Sequence, residues 1–309
     1  MNMRPHVHVF LLGIAACLPA STTADDSKSQ PQSADKTFTL KYRFAGNQFA
    51  HYEVTHKSTI VSRFAQGSET TFNESNTRKH FRVTSVQPGG AAILEPVIDH
   101  VKMRIRFGDQ DPIDFDSDWK ASRIPKKFET IKRTIGRPLA RIHVTSSGRL
   151  KSAASIPNSN IQPASASKAS RGPSDSSQNF LIVLPDKPVK IGDSWTDTIQ
   201  VKVNITNDIR RTIRLLRTYQ LTAVSQGIAD ISLATSIVDP IRTPSIRAQL
   251  IQREPTGKIQ FDINRGLIVY RESTIDKTVF EPFGPKSALH AVSRRVERLM
   301  EPPAAKKAE

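Results

Sequence analysis

Three acids at alternate positions, Asp114, Asp116 and Asp118, have the spacing with which loops gather oxygen ligands around calcium. The rest of such a loop is missing, because Trp119 stands where the turn glycine belongs and Pro125 where the bidentate acid belongs. Pairing with Lys102, Arg104 and Arg106 of a preceding strand is the expected role of these carboxylates. His51, Glu53 and His56 suggest a metal cluster, but on a strand residues 51 and 56 point to opposite faces. His51 and Glu53 share a face, and two ligands do not make a site. Charge density is the remaining signal: from Lys120 to Lys151 there are ten Lys or Arg and one acid, Glu129. Within that stretch Lys126, Arg133, Arg137 and Arg141 are the candidate anion-binding residues. Near an anionic membrane each is worth about 1 kcal/mol, and an ordinary solvated face is the competing reading. No cofactor and no metal are expected.

Nucleophilic catalysis is tested by Gly192-Asp193-Ser194-Trp195. It resembles the Gly-Asp-Ser motif of one esterase and lipase family. That family needs an α/β fold and a later Asp-x-x-His, and no Asp-x-x-His occurs here. The aligned stretch earlier in the chain, Gly46-Asn47-Gln48-Phe49, has no nucleophile, so a structural turn before a strand explains both. Phosphate loops, zinc-protease helices and the aromatic patterns of nucleic-acid binders are absent too, and a non-catalytic role is expected.

The elements that would position these residues read as strands. Val101 to Phe107 alternates four apolar side chains with three cations, and Ile113 to Trp119 alternates likewise with carboxylates on its polar face. A five-residue turn at 108–112 would place Arg106 opposite Asp114, Arg104 opposite Asp116 and Lys102 opposite Asp118. Ile124, Phe128, Ile131 and Ile135 follow at helical spacing, with Pro125 suited to the first turn and Gly136 to the end. Segments that align in order suggest two copies of one unit. Tyr42 to Phe49 parallels Pro188 to Trp195, Phe81 to Val86 parallels Tyr219 to Val224, and Ile142 to Gly148 parallels Ile259 to Gly266. The last segment, 287–300, fits either helix or strand, and a strand is favoured because a sheet ending in a hairpin would need one.

The organisation expected is a signal peptide at 1–24, a polar tether at 25–36, a first β-rich repeat at 37–151, and a Ser/Pro-rich linker at 152–178. A second repeat at 179–300 and a loose tail at 301–309 complete it. Arg4 and the apolar run Val7 to Ala16 make the export signal, which is too short to span a bilayer. Two processing routes remain open: cleavage after Thr22-Thr23-Ala24, or lipidation of Cys17 in the lipobox-like Ile14-Ala15-Ala16-Cys17. Cys17 is the only cysteine, so no disulfide or thiolate metal site is expected in the folded part. No later stretch is apolar enough for a transmembrane helix. The formal charge of +16 falls to +15 when 1–24 is removed, since that segment holds Arg4 and no acid. For an exported, periplasmic or envelope-associated chain, the expected partners are anionic lipid, lipopolysaccharide or acidic polysaccharide, and nucleic acid is not.

The fold class expected is mainly β: two related antiparallel units forming curved sheets or a half-barrel, with one amphipathic helix near 125–135. This arrangement resembles the half-barrels of periplasmic lipoprotein carriers and of lipid-binding mycobacterial lipoproteins. Leu184-Pro185, Val189, Gly192, Asp193 and Trp195 resemble a segment of an uncharacterised family of exported bacterial envelope proteins. The resemblance implies an envelope protein with an apolar ligand on the concave face of its sheet. Two functions follow as expectations: a scaffold that binds anionic surfaces or polymers, and a carrier of lipid or lipidated protein.

Overall fold

Period-2 alternation recurs along the chain and produces strands over much of the described residues. The computed structural model describes residues 36–154, 156, 181–206 and 209–301. The 1–24 signal with Cys17, the tether apart from Lys36, nearly all of the 152–178 linker and the tail beyond Glu301 lie outside the described residues. In the first half run β1 (Phe49–Phe64), β2 (Gly67–Val86), β3 (Ala92–Phe107), β4 (Ile113–Asp116), β5 (Arg141–Val144) and β6 (Leu150–Ala154). In the second run β7 (Ser194–Asn204), β8 (Arg210–Ser225), β9 (Ile228–Ile237), β10 (Thr256–Asp262), β11 (Leu267–Phe280) and β12 (Ala288–Met300).

All belong to one antiparallel sheet in the order β6-β5-β3-β2-β1-β12-β11-β10-β9-β8-β7, with β4 paired to β3. The sheet is open, with β6 and β7 at its ends. The two halves join where β1 pairs with β12, from His51 opposite Met300 to Arg63 opposite Ala288. On β1, Ala50, Tyr52 and Val54 are buried while His51, Glu53 and Thr55 stay partly exposed, which defines an inner and an outer face.

Two extended arms, 36–44 and 181–191, cross the inner face. Phe38 and Val189 exchange backbone hydrogen bonds of 2.7 and 2.9 Å. Leu40, Tyr42, Ile182 and Leu184 enter one core with Phe81 and Val83 of β2, Ile142 of β5, Leu221 of β8 and Phe261 of β10. Strands β5 and β8 are far apart in the order yet reach the same core, so the sheet curls around the arms. Leu40 and Leu184 are fully buried, and each contributes about 1.5–3 kcal/mol of apolar burial. The turns that end the arms are held alike. Asn47 N–H donates to Val83 O and Val83 N–H to Gln48 O, just as Gly192 N–H donates to Leu221 O and Leu221 N–H to Asp193 O. Close approach of the arms demands glycine at two turns. A Cβ on Gly148 (φ +79°) would lie 2.3 Å from Ile182 O, and one on Gly266 (φ +65°) 2.4 Å from Arg43 N.

Two covers sit on the rest of the inner face. One is residues 121–135, made of 3-10 turns at Ala121–Arg123 and Lys126–Phe128 and the short helix α1 (Glu129–Thr134). Ile124, Phe128, Ile131 and Ile135 all pack with Val101, Met103 and Ile105 of β3, so the apolar stripe does what its spacing suggests, although only six residues are α-helical. The other cover, α2 (Pro244–Leu250), is a helix that the sequence reading did not anticipate. Pro244 occupies its first turn, and Ile246 and Leu250 pack on β7 and β8. Ile251, next in the chain, meets Val279 of β11 and Leu289 of β12.

The β3–β4 hairpin keeps the expected faces but not the expected register. Lys102 pairs with Asp116, Met103 with Phe115, Arg104 with Asp114 and Ile105 with Ile113. The slip is two residues, which preserves inside and outside because strand side chains alternate with period 2. It seats Phe115, 1% exposed, against Phe128 at a ring separation of 4.9 Å. Segment 287–300 forms the strand β12 from Ala288 onward, as favoured from sequence.

Candidate functional site

Between the arms and the two covers, the inner face changes from apolar to polar. His56 of β1, Ser75 of β2 and Ser273 of β11 are half-buried there, and Arg295 of β12 is 44% exposed. Beneath this strip, Glu297 of β12 is 6% exposed and draws three cations. Lys79 Nζ lies 2.7 Å from its carboxylate, Arg271 Nη2 2.6 Å and Arg295 Nη2 4.0 Å. The strand order places them, since Lys79 stands on β2, Arg271 on β11, and Glu297 and Arg295 on the strand β12 that runs between β1 and β11.

Burial works against ionisation of Glu297, yet Arg271 and Lys79 outweigh it and hold the carboxyl down at about 2. Burial pulls Lys79 below its ordinary value against the attraction of Glu297. His56 is pushed down by burial and then by Arg295, which keeps the imidazole neutral beside the cations. Tyr52 is raised by burial and then by Glu297, so its hydroxyl stays protonated near the Lys79 ammonium, which lies 5.8 Å from the ring centre. Three cations thus meet at the Glu297 carboxylate, and Arg295 is the one most open to solvent. Asn73 Oδ1 and Thr235 Oγ1 on this face are buried with no hydrogen-bond partner among the described residues, and polar atoms of this kind are ordinarily met by water. The arrangement suits a phosphate or carboxylate approaching past Arg295.

Sequence reasoning missed this group. The available signal was charge at inner-face positions: Arg295 and Glu297 alternate in phase with buried Leu289 and Ala291. Val292 and Val296 on the outer face obscured that phase and imitated helical spacing.

Of the residues proposed from sequence, Lys126, Arg133 and Arg137 are exposed, and none has an ion-pair partner among the described residues. Among the described residues, Arg133 donates to Thr130 Oγ1. Because 121–135 packs on the inner face of β3, Lys126 and Arg133 stand on the same side of the sheet as the Glu297 group. Arg141 is placed differently: its Nε lies 2.8 Å from Glu95, whose side chain is 10% exposed, so its charge neutralises a buried acid. Cys17 lies outside the described residues.

The other candidates resolve into structural bonds. Asp114 receives two hydrogen bonds from Arg104, at 2.7 and 2.9 Å. Asp116 and Asp118 both approach His100, at 3.0 and 3.4 Å. Asp193 accepts from Lys190 N–H and closes the turn before β7. Trp195 stacks on Tyr219 and donates from Nε1 to Val183 O, anchoring the second arm. His51 and His56 do face opposite ways. His51 meets two residues of other strands on the outer face: His80, directly across from it on β2, and Asp99 of β3.

The fold and this geometry define an open, curled antiparallel sheet plugged by its own arms, with a cationic group on its inner face. Residues 171–268, which include Leu184-Pro185 and Gly192 to Trp195, match a family of unknown function (DUF6263). No curated protein matches the chain. Among solved structures it is similar to one described as lipid-protein interactions in lipovitellin, at 13% identity and a TM-score of 0.44. That likeness covers 86% of this chain and 27% of the other, so the chain spans about a quarter of that protein's length. It is also similar to DynF from the dynemicin biosynthesis pathway of Micromonospora chersina, at 6% identity and a TM-score of 0.21, over 89% of this chain and 95% of that one. No helix among the described residues is long and apolar enough to cross a membrane.

Proposed function

We propose that this chain is a non-catalytic, exported binding protein of the bacterial cell envelope whose partners carry phosphate or carboxylate groups, as anionic lipid, lipopolysaccharide and acidic polysaccharide do. The observation that carries the reading is the gathering of Lys79, Arg271 and Arg295 at Glu297 on the inner face, open to solvent at Arg295. Removing cations from water costs several kcal/mol apiece, and an anion drawn to Arg295 would offset part of that cost. Lys126, Arg133 and Arg137 would add long-range attraction to an anionic surface.

The alternative, a carrier of lipid or lipidated protein, needs an open apolar trough. Phe38, Leu40, Tyr42, Leu181, Ile182 and Leu184 cover the apolar part of the inner face, so a carrier would have to release its arms. Co-sedimentation with phosphatidylglycerol vesicles against phosphatidylcholine vesicles tests the first reading. Binding to the former, weakened by Arg295→Ser and by loss of Lys126, Arg133 and Arg137, is expected. Equal partition to both vesicle types would refute it. Lipid recovered by native mass spectrometry from protein purified from its own envelope would favour the carrier.

A further inference from the structure

We propose that His51, His80 and Asp99 form a binding site for a late first-row divalent metal ion, of the Zn²⁺ or Cu²⁺ class, on the outer face of the sheet. Three neighbouring strands supply one ligand each. The β1–β2 register sets His51 directly opposite His80, with ring centres 5.0 Å apart. Asp99 reaches them because β3 carries a bulge there: Arg78 pairs with His100 and Lys79 with Ile98, which leaves Asp99 without a partner in the ladder. Bulges re-aim side chains, and this one turns a carboxylate toward both imidazoles.

His80 Nδ1 lies 2.8 and 2.9 Å from the two Asp99 oxygens, and His51 Nδ1 lies 4.0 Å from the nearer one. One ligand atom from each residue falls within 4.8 Å of the others. Tetrahedral bonds of about 2.0–2.1 Å put ligand atoms roughly 3.3 Å apart, so small side-chain rotations would close the set around an ion. Asp99 thus bonds directly to His80, while His51 stands farther off from the same carboxylate. Two imidazoles and a carboxylate can together share one divalent ion. Phe49 stacks on His51 at 6.2 Å and lies 5.6 Å from His80, which restrains both rings.

Two nitrogens and one oxygen suit zinc or copper better than magnesium or calcium, which favour all-oxygen sites. The side chains of His51 and Asp99 are 38% and 34% exposed, so an ion can enter from solvent. His51 also lines a cavity of about 240 Å³ together with Phe49, Arg265, Leu267 and Met300. The neighbouring His100, Asp116 and Asp118 form a weaker set, because Asp118 is 75% exposed and Asp116 already accepts from Asp118 N–H. The site is on the face opposite Glu297 and stands whether or not the inner face binds anions.

The test is calorimetric titration of the chelator-treated full chain with ZnCl₂, CuCl₂ and MgCl₂. The wild type is compared with His51→Ala, His80→Gln and the His51→Ala/His80→Gln pair, with circular dichroism confirming that each is folded. Saturable binding of zinc or copper, one ion per chain, is expected, with magnesium silent. Each single change should weaken it about tenfold or more. Failure of both zinc and copper to bind, or binding left unchanged in the folded double variant, overturns the proposal.

Discussion

Replacing Glu297 with glutamine keeps the shape of the side chain and removes the carboxylate that Lys79, Arg271 and Arg295 approach. A carboxyl held at about 2 instead of its ordinary 4.5 corresponds to about 3 kcal/mol of stabilisation. The side chain is 6% exposed, so little of this is lost to solvent screening. Breaking a buried ion pair on one side typically costs about 3–5 kcal/mol, which agrees. Because the folded value is depressed, the stabilisation is complete above about pH 4.5 and is lost as pH falls toward about 2. Urea denaturation followed by tryptophan fluorescence should therefore show Glu297→Gln about 3 kcal/mol less stable than wild type at pH 7. The difference should shrink steadily below pH 4.5. Pyrophosphate should recover part of the loss in the variant, since an added anion can take the place of the missing carboxylate. A destabilisation under about 1 kcal/mol at pH 7, or one that persists unchanged at pH 2–3, would refute the reasoning.

Docking of the arms gives two more outcomes, both read by denaturation midpoint. In Tyr42→Phe a hydroxyl is lost that donates to Ile182 O and accepts from Ile182 N–H, each at 3.1 Å, and about 2–4 kcal/mol should go with it. Gly148→Ala forces a Cβ to within 2.3 Å of Ile182 O and 2.6 Å of the Tyr42 ring at φ +79°, so about 3 kcal/mol of destabilisation is expected, and a loss under 1 kcal/mol would contradict the close approach. On the surface, Lys126→Gln, Arg133→Gln and Arg137→Gln together should weaken binding to phosphatidylglycerol vesicles by up to about 3 kcal/mol, roughly a hundredfold, with stability unchanged. Arg141→Gln should instead lower stability, because it strands the buried Glu95.

Local pattern made much of the sheet legible. The alternation from Val101 to Phe107, the stripe Ile124, Phe128, Ile131 and Ile135, and the turns at Gly46 and Gly192 each depend on neighbours in sequence, and each appears in the fold. The β3–β4 register slipped by two because turn length was judged from Gly108 to Pro112, while packing of Phe115 on Phe128 decided the outcome. Helix α2 was missed although Pro244, Ile246 and Leu250 carry its start and its apolar spacing, since the surrounding strands set the expectation. The Glu297 group joins β2, β11 and β12, and His51, His80 and Asp99 join β1, β2 and β3. Both assemble through pairings distant in sequence. For the histidines, folding the β1–β2 hairpin about the turn between Phe64 and Gly67 would have shown His51 facing His80, whereas the bulge that delivers Asp99 leaves no local mark.

The central claim, that the inner face presents cations to an incoming anion, is tested most directly by calorimetric titration of the wild type and Arg295→Ser with pyrophosphate at neutral pH and low salt. Saturable binding by the wild type, weakened tenfold or more by Arg295→Ser and reduced by added salt, is the expected result. Wild-type protein that takes up no pyrophosphate, or an Arg295→Ser chain that binds it equally well, would contradict the claim.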